Sequence, residues 1–411
     1  MENPELKILF LSDNFPPEVN APASRTYEHV REWVQKGARV TVITCAPNFP
    51  QGRVFEGYKN RLYAKEDMDG ITVIRVWSYI TANEGFLKRI LDYLSFCLTS
   101  FIFGLFQKCD IIIATSPQFF TAVSGSFLSI FKNRPWIMEV RDLWPESIKA
   151  VSAMKTDSKV FVFLEAIERW LYRRAAAIVV VTDAFKERLM EWGVDGKKIF
   201  VVKNGVMLDK FKYLPKNEGL VSQLHLRDKF VIGYIGTHGM AHKLDFIVQS
   251  AAGIDDQRIH FLFIGNGAEK EKVKSLAGEL QLNNCTFLDS VPKEVIDQYI
   301  SVTDVALVPL KRSDTFKTVI PSKIFENAAM LKPILLGVEG EARSIIEKYN
   351  AGICFEPENE ADLIAAIHKL ISDRPYYGSL QEGCSRLAED FDRRTLAATM
   401  LDIVRRTEAG S

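Results

Sequence analysis

The sequence is short of several things, and each shortage narrows what the chain can be. It has no excess of charge: Lys plus Arg and Asp plus Glu number 52 each in 411 residues. A neutral balance gives no global attraction for nucleic acid, so none is expected as a partner. The six cysteines, Cys45, Cys97, Cys109, Cys285, Cys354 and Cys384, form no CxxC pair, and no histidine stands beside them at metal-ligand spacing. They read as reduced, mostly core cysteines of a cytoplasmic protein. No apolar run reaches membrane-spanning length. The segment Leu91–Phe106 has 16 residues, contains Asp92 and is flanked by Lys88, Arg89 and Lys108. It reads either as a buried helix of an α/β domain or as one that dips partly into a bilayer surface. The opening "MENPELK" is acidic and leads into a short apolar strand, so no secretory signal is expected. Low-complexity stretches and fixed-period repeats are also lacking, which excludes a solenoid.

What is present is an alternation of short apolar strands and helical stretches. Hydrophobic residues make up 47% of the chain and charged ones 25%, the balance of a globular protein, and its length suits two or three domains. In the first half, "KILFLS", "ARVTVITC", "GITVIRV", "DIIIATS", "PWIMEV" and "AAIVVVT" read as strands. "DNFPPEVNAPAS" reads as a Pro-rich loop, and "RTYEHVREWVQKG" as a helix stopped by Gly37. After "KIFVVKNGVMLDKF" the rhythm restarts with "FVIGYIG", "IHFLFIGNG", "CTFLDSV", "VALVPL", "KPILLGV" and "AGICFE". Short, β-branched, continuously apolar strands separated by helices indicate parallel sheets covered on both faces. The expected architecture is α/β, with two doubly wound, Rossmann-like domains facing across a cleft, residues 1–205 and 206–390. The last helix, within 391–411, has no strand after it and is free to pack back on the first domain.

In such sheets ligands bind beyond the carboxyl ends of the strands, so the loops that follow strands matter most. "GTHGMAHKLD", Gly236 to Asp245, turns from a strand into a helix, and Lys243 adds positive charge near the helix start. That geometry suits a phosphate; the alternative is an ordinary turn with a solvated lysine. Leu244 after Lys243 excludes a P-loop, and "IGNG" lacks the third glycine of a dinucleotide fingerprint, Lys270 standing there. A second loop, "DTFKTVIPSKIFENAAMLKPILLGV", places Thr318–Ser322 at a turn entering a helix, with Glu326 about one turn in. A carboxylate there could accept two ribose hydroxyls, or could simply favour a helix N-terminus.

"FPPEV", "KNGVMLDKF", "GTHGMAHKLD", "FIGNG" and "PSKIFENAAMLKPIL", in this order, resemble the GT-B glycosyltransferases of family 4, which use nucleotide-sugar donors and retain anomeric configuration. "APNFPQGRVFEGY" and "VRDLWPESI" are most similar to bacterial transferases of surface-polysaccharide assembly (O-antigen, capsule), the amino-fucose transferase type among them. The resemblance implies a donor diphosphate at Gly236 and Lys243, with Thr237 where the family has arginine. His238, Lys203 or Arg25 would then compensate. Glu326 would bind the donor ribose. Thr318 replaces the first glutamate of the family's motif, leaving the sugar to Thr318 and the amides of Val319 and Ile320, next to Ser322. "FLDSVP", with Asp289 and Val291, would cradle the base. Asp142 and Arg141 occupy the place of the family's catalytic histidine, with Lys243 as third catalytic candidate. Acceptor contacts would come from Pro17, Asn20, Ala21 and Arg25.

The implied reaction moves a sugar, an N-acetylated amino or deoxyamino hexose, from a UDP-linked donor to a saccharide or polyprenyl-diphosphate-linked acceptor. Negative charge grows on the leaving phosphate, and Lys243 with the turn would stabilise it without metal or cofactor. "DMD", Asp67 to Asp69, precedes a strand and is followed by Gly70, so it reads as a turn and not as a metal-binding D-x-D. The acceptor would meet the long loops Asp13–Ser24, Ala46–Tyr58 and Ser78–Gly85. The Leu91–Phe106 helix, with basic charge from "YRRAA", would touch the inner face of the cell membrane. The rival readings are a sugar-nucleotide 2-epimerase, an inactive scaffold and a dinucleotide-dependent dehydrogenase.

Overall fold

The computed structural model describes residues 5–49, 51–81, 86–116, 118–143 and 159–410. Readings made on the sequence run partly outside them in four places: the first four residues of "MENPELK", Pro50 in the loop Ala46–Tyr58, the end of the loop Ser78–Gly85, and the part of "VRDLWPESI" beyond Leu143.

The chain divides into two compact units, Met1–Lys203 with Arg393–Ser411, and Asn204–Asp392. The first is built on the strands β1 (Lys7–Leu11), β2 (Arg39–Cys45), β3 (Tyr63–Met68), β4 (Ile71–Val76), β5 (Ile111–Thr115), β6 (Trp136–Val140), β7 (Ala177–Val180) and β8 (Ile199–Val201). Their order is β3-β4-β2-β1-β5-β6-β7-β8. Every pairing is parallel except β3 with β4, a hairpin whose tight turn puts Asp69 and Gly70 at positive φ. "DMD" is therefore the end of a strand and a hairpin corner. The interior strands are buried along nearly their whole length, as parallel strands under two helical layers must be.

Helix α1 (Ala21–Gln35) begins four residues earlier than the sequence suggests. Asn20 is its N-cap and accepts from the Ala23 amide at 2.8 Å, with Pro22 in the first turn. Helices α2 (Phe86–Leu105), α3 (Phe119–Lys132), α4 (Lys159–Arg174) and α5 (Asp183–Glu191) follow. Seen from the core, α2 is only half a buried helix. Phe96 and Ser100 face inward, with the Ser100 hydroxyl 2.9 Å from that of Ser124 on α3, while Leu91, Leu94, Leu98 and Ile102 lie exposed.

The second unit contains β9 (Phe230–Ile235), β10 (Ile259–Ile264), β11 (Cys285–Leu288), β12 (Val305–Pro309), β13 (Ile334–Gly337) and β14 (Gly352–Cys354), all parallel, in the order β11-β10-β9-β12-β13-β14. Its helices are α6 (Glu218–Gln223), α7 (Leu244–Ala252), α8 (Lys270–Glu279), α9 (Ile296–Ser301), α10 (Lys323–Ala329), α11 (Glu341–Tyr349), α12 (Glu360–Ser372) and α13 (Arg374–Asp390). The last helix, α14 (Arg393–Ala409), belongs to the first unit and packs on α1. There the Trp33 indole donates to the Ala397 carbonyl at 2.8 Å, His29 meets the Met400 sulfur at 3.3 Å, and Arg393 pairs with Glu28.

Candidate functional site

The loops after β9 and β10 interlock through bare backbone. Gly236 leaves β9 at φ +151 and Gly265 leaves β10 at φ +147. A Cβ on Gly265 would lie 1.9 Å from the Gly236 carbonyl oxygen, and one on Gly267 would lie 2.3 Å from that of His238. Two hydrogen bonds close the contact: the His238 amide donates to the Asn266 carbonyl at 3.0 Å, and the Glu269 amide to the His238 carbonyl at 2.9 Å. The glycines of "IGNG" thus serve the close approach of two turns, which gives the motif a reason other than dinucleotide binding.

Thr237 and Met240 are exposed at the tip of the first turn, while His238 is buried beneath it. A 3-10 turn, Met240–His242, separates the glycine from α7, and Lys243 sits between them in the left-handed region at φ 50. Its ammonium is held among carboxylates, 3.5 Å from Asp245 and 3.8 Å from Glu358. His238 and His242 are both pushed down to about 4, first by burial and then by neighbouring lysines, Lys270 and Lys323 for His238 and Lys323 for His242. Burial and those lysines oppose a positive charge on either ring, which disfavours His238 as the compensating cation.

The cation nearest Gly236 is one the sequence did not suggest. Lys323 opens α10, and its Nζ lies 4.0 Å from the centroid of the buried Tyr234 ring. The Tyr234 hydroxyl donates to the Thr237 carbonyl at 2.5 Å. Lys270 at the start of α8 braces the neighbouring turn, donating to Asn266 at 2.9 Å and to the Leu288 carbonyl at 3.0 Å, and pairing with Asp289 at 2.5 Å. Asp289 is exposed and held below the usual carboxylate range by that lysine; Val291 follows, half-buried.

The Thr318 loop carries less free polar capacity than expected. The Thr318 hydroxyl donates to the Thr315 carbonyl at 3.2 Å, and the Val319 amide donates to the Phe316 carbonyl at 3.3 Å. Ile320 is buried in the core and Ser322 makes no side-chain cap. Of the groups assigned to the sugar, the Thr318 hydroxyl and the Val319 amide thus close their own turn. Glu326 lies on α10 one turn beyond Lys323, whose charge it favours. Among the described residues no cluster of three or more His, Cys, Asp or Glu could hold a metal ion. An open depression lined by Lys274, Gly278, Gln281 and Cys285 lies toward the opposite end of α8 from Lys270.

In the first unit Arg25 is an internal brace. It is 1% exposed, and its guanidinium donates to Glu139 at 2.9 Å and to the carbonyls of Val202 and Lys203 at 2.8 Å. Burial opposes ionisation of Glu139, but Arg25, Arg141 and Thr115 outweigh it and hold the carboxyl below its ordinary value. Against the expectation that Arg25 contacts acceptor or compensates at the diphosphate, its guanidinium is already engaged by a carboxylate and two carbonyls of its own unit. Lys203 likewise pairs with Asp183 at 2.6 Å. Asn20 caps α1 and donates to Asn14 at 2.6 Å; Pro17 and Ala21 are exposed beside it.

Arg141 and Asp142 follow β6, and both amides are fixed by the Ser116 hydroxyl, at 2.7 and 3.3 Å. Burial brings Arg141 down to about 10. Asp142 keeps access to solvent although atoms crowd its carboxyl, which burial raises and Arg141 pulls back. Two further carboxyls escaped the sequence reading. Asp13, just past β1, is raised well above its usual value by burial, with Asp92 and Glu18 adding to the effect. Glu18 is buried and accepts from the amides of Asn48 and Phe49, each at 2.8 Å. The signal for both was an acid in a loop after a strand.

Comparison with known proteins gives these sites a class. Residues 20–205 match the family model described as "Glycosyl transferase 4-like domain", and residues 217–389 match "Glycosyl transferases group 1". Sucrose-phosphate synthase from Thermosynechococcus elongatus shares the fold at 16% identity with a TM-score of 0.80, over 99% of this chain and 100% of that one. The chain is a glycosyltransferase of the GT-B fold.

Among particular relatives, the Escherichia coli K12 protein described as "Putative colanic acid biosynthesis glycosyl transferase WcaI" is 25% identical over 377 residues, 89% of this chain and 92% of that one. The Anabaena protein HepE, solved in complex with UDP-glucose, has a TM-score of 0.71 and 16% identity, over 98% of this chain and 100% of that one.

Proposed function

We propose that this glycosyltransferase moves a sugar from a UDP-linked donor, bound at the carboxyl ends of β9 and β10, to a saccharide or polyprenyl-diphosphate-linked acceptor. The setting would be the assembly of a bacterial surface polysaccharide. The observation that carries the reading is the Gly236 turn. Two strands end in bare backbone beside a buried ammonium, and an anion docked there would meet positive charge in a setting of low dielectric. Complexes of HepE with UDP and with UDP-glucose support a UDP-linked donor, and the naming of WcaI for colanic acid biosynthesis supports the setting. Glu326 would hold the ribose and Asp289 with Val291 would flank the base. The sugar would be an N-acetylated amino or deoxyamino hexose, transferred with retention and without metal. The Gly236 turn and its cations would stabilise the leaving diphosphate as its charge grows. On the first unit, Asp142 and Arg141 are the catalytic candidates, and Pro17 with the loop after β1 would meet the acceptor.

The face of α2 supports a peripheral position at a membrane. Leu91, Leu94, Leu98, Ile102 and Leu105 lie exposed along it, and Phe131 of α3 continues the patch, its ring 5.4 Å from that of Phe101. Lys88, Lys108 and Arg134 rim the patch, all exposed. No described helix is long and apolar enough to cross a membrane, so contact would be with the surface only.

Titration of UDP, GDP and ADP in the presence of EDTA tests the donor site, with UDP expected to bind and Glu326→Ala expected to weaken it. Incubation with UDP-sugars, with and without acceptor, then separates transfer from epimerisation: sugar altered without acceptor would refute transfer. Flotation with anionic vesicles at low salt tests the membrane contact. Wild type should float and the double variant Leu98→Glu, Phe131→Glu should not; equal behaviour would dismiss the patch as a lipid contact.

A further inference from the structure

Lys323 carries a buried ammonium for which the described residues supply no hydrogen-bond partner. Its side chain runs from the start of α10 to the turn after β9. There Nζ lies 2.8 Å from the place where a Cβ on Gly236 would sit, against the face of Tyr234. The nitrogen is shut off from solvent and makes no hydrogen bond among the described residues. Among the described residues the groups facing it are Tyr234, His238 and His242 from β9 and its turn, and Glu326 from its own helix, while Lys270 of α8 also acts on His238. A single aromatic face is poor compensation for a buried ammonium, which is costly to keep without hydrogen bonds. Lys243, the cation expected at the phosphate from the motif, is by contrast already flanked by two carboxylates and partly open to water.

We propose that Lys323, and not Lys243, is the cation that meets a phosphate oxygen of the nucleoside-diphosphate donor at the Gly236 turn. The inference rests on the donor-site reading above and names its charged residue. Glycine at 236 then has a reason beyond its φ: a side chain there would displace the ammonium and fill the space the phosphate needs. Burial also brings Lys323 down to about 7, against the pull of Glu326. Part of the free protein therefore holds a neutral amine at neutral pH. An arriving anion favours the ammonium, so the amine gains an N–H bond to a proton drawn from solvent.

The test is calorimetric titration with UDP at pH 7.5, in two phosphate-free buffers of different ionisation enthalpy. Wild type should bind with net proton uptake. Lys323→Met should weaken binding about thirtyfold or more and abolish the uptake, since it removes one partner of a desolvated charge pair. Lys243→Met should change affinity less than about threefold, as expected for a partly solvated charge already paired with carboxylates. Lys323→Arg, always charged, should bind without proton uptake. The melting temperature of Lys323→Met, expected at or above that of wild type, shows that the variant folds. Wild-type affinity in Lys323→Met with a large loss in Lys243→Met would overturn the inference and leave the donor site standing. A wild type that binds pyrophosphate through Lys323 but no nucleotide would uphold the cation and refute the donor. Binding of neither would sink both.

Discussion

Gly265→Ala should unlock the two turns of the second unit. The new Cβ would start 1.9 Å from the Gly236 carbonyl oxygen, so the strands' ends must part by more than an ångström. A φ of +147 is one that only glycine adopts readily, and forcing alanine into it costs about 1–3 kcal/mol. Separating the turns also weakens the bonds from the His238 and Glu269 amides, each contributing roughly 1 kcal/mol. The sum is about 3–5 kcal/mol, a fall in melting temperature on the order of 10 °C for a unit of this size. Gly278→Ala is the control: it lies exposed near the end of α8, nothing would meet its Cβ, and alanine there should be neutral or stabilising by up to about 1 kcal/mol. Thermal unfolding of the full chain should show the transition of the second unit moving in Gly265→Ala alone, with UDP affinity lost alongside. If Gly265→Ala melted like Gly278→Ala, the close packing of the two turns would be refuted.

Other expectations follow from the buried charges. Arg25→Met leaves the Glu139 carboxylate buried without its main partner and should cost the first unit about 3–5 kcal/mol by urea titration, with Glu139→Gln in the same background recovering part of the loss. Glu139 is depressed in the folded state. Its contribution is therefore present above the unfolded value of 4.5 and lost as pH falls through the lower folded value, so Arg25→Met should flatten the acid limb of the stability curve. His238 and His242 are lowered from 6.5 to about 4, so the unfolded chain binds more protons between those values. The second unit should lose stability steadily as pH falls from 6.5 to 4, and the double variant His238→Gln, His242→Gln should lose less; an unchanged slope would refute the burial of those rings.

The strands that carry the sheets were legible because buried parallel strands are written as unbroken apolar runs. β3 was not, because "YAKEDM" is an edge strand with alternate residues exposed, and its charges look like a loop. The start of α1 was hidden by prolines, although an Asn followed by a Pro in the first turn is a helix start in its own right. The turn after β9 could be read as an anion site from its glycine and following helix. Its cation could not, since Lys323 is far from Gly236 in sequence and comes near it because β12, whose loop leads to α10, is the sheet neighbour of β9. Arg25 misled for the opposite reason: an arginine near a loop reads as a ligand until the carboxylate beside it, on a strand distant in sequence, is known.

The packing of α14 on α1 also sets an order of events during synthesis. The apolar side of α1 that carries Trp33 and His29 finds its cover only in residues 393–409, after the whole second unit has been made. At usual elongation rates the roughly 190 intervening residues take some tens of seconds. For that time the side of α1 that carries Trp33 and His29 lacks the helix that packs on it in the folded chain. A chain cut anywhere in the second unit would therefore leave its N-terminal half without the helix that closes it.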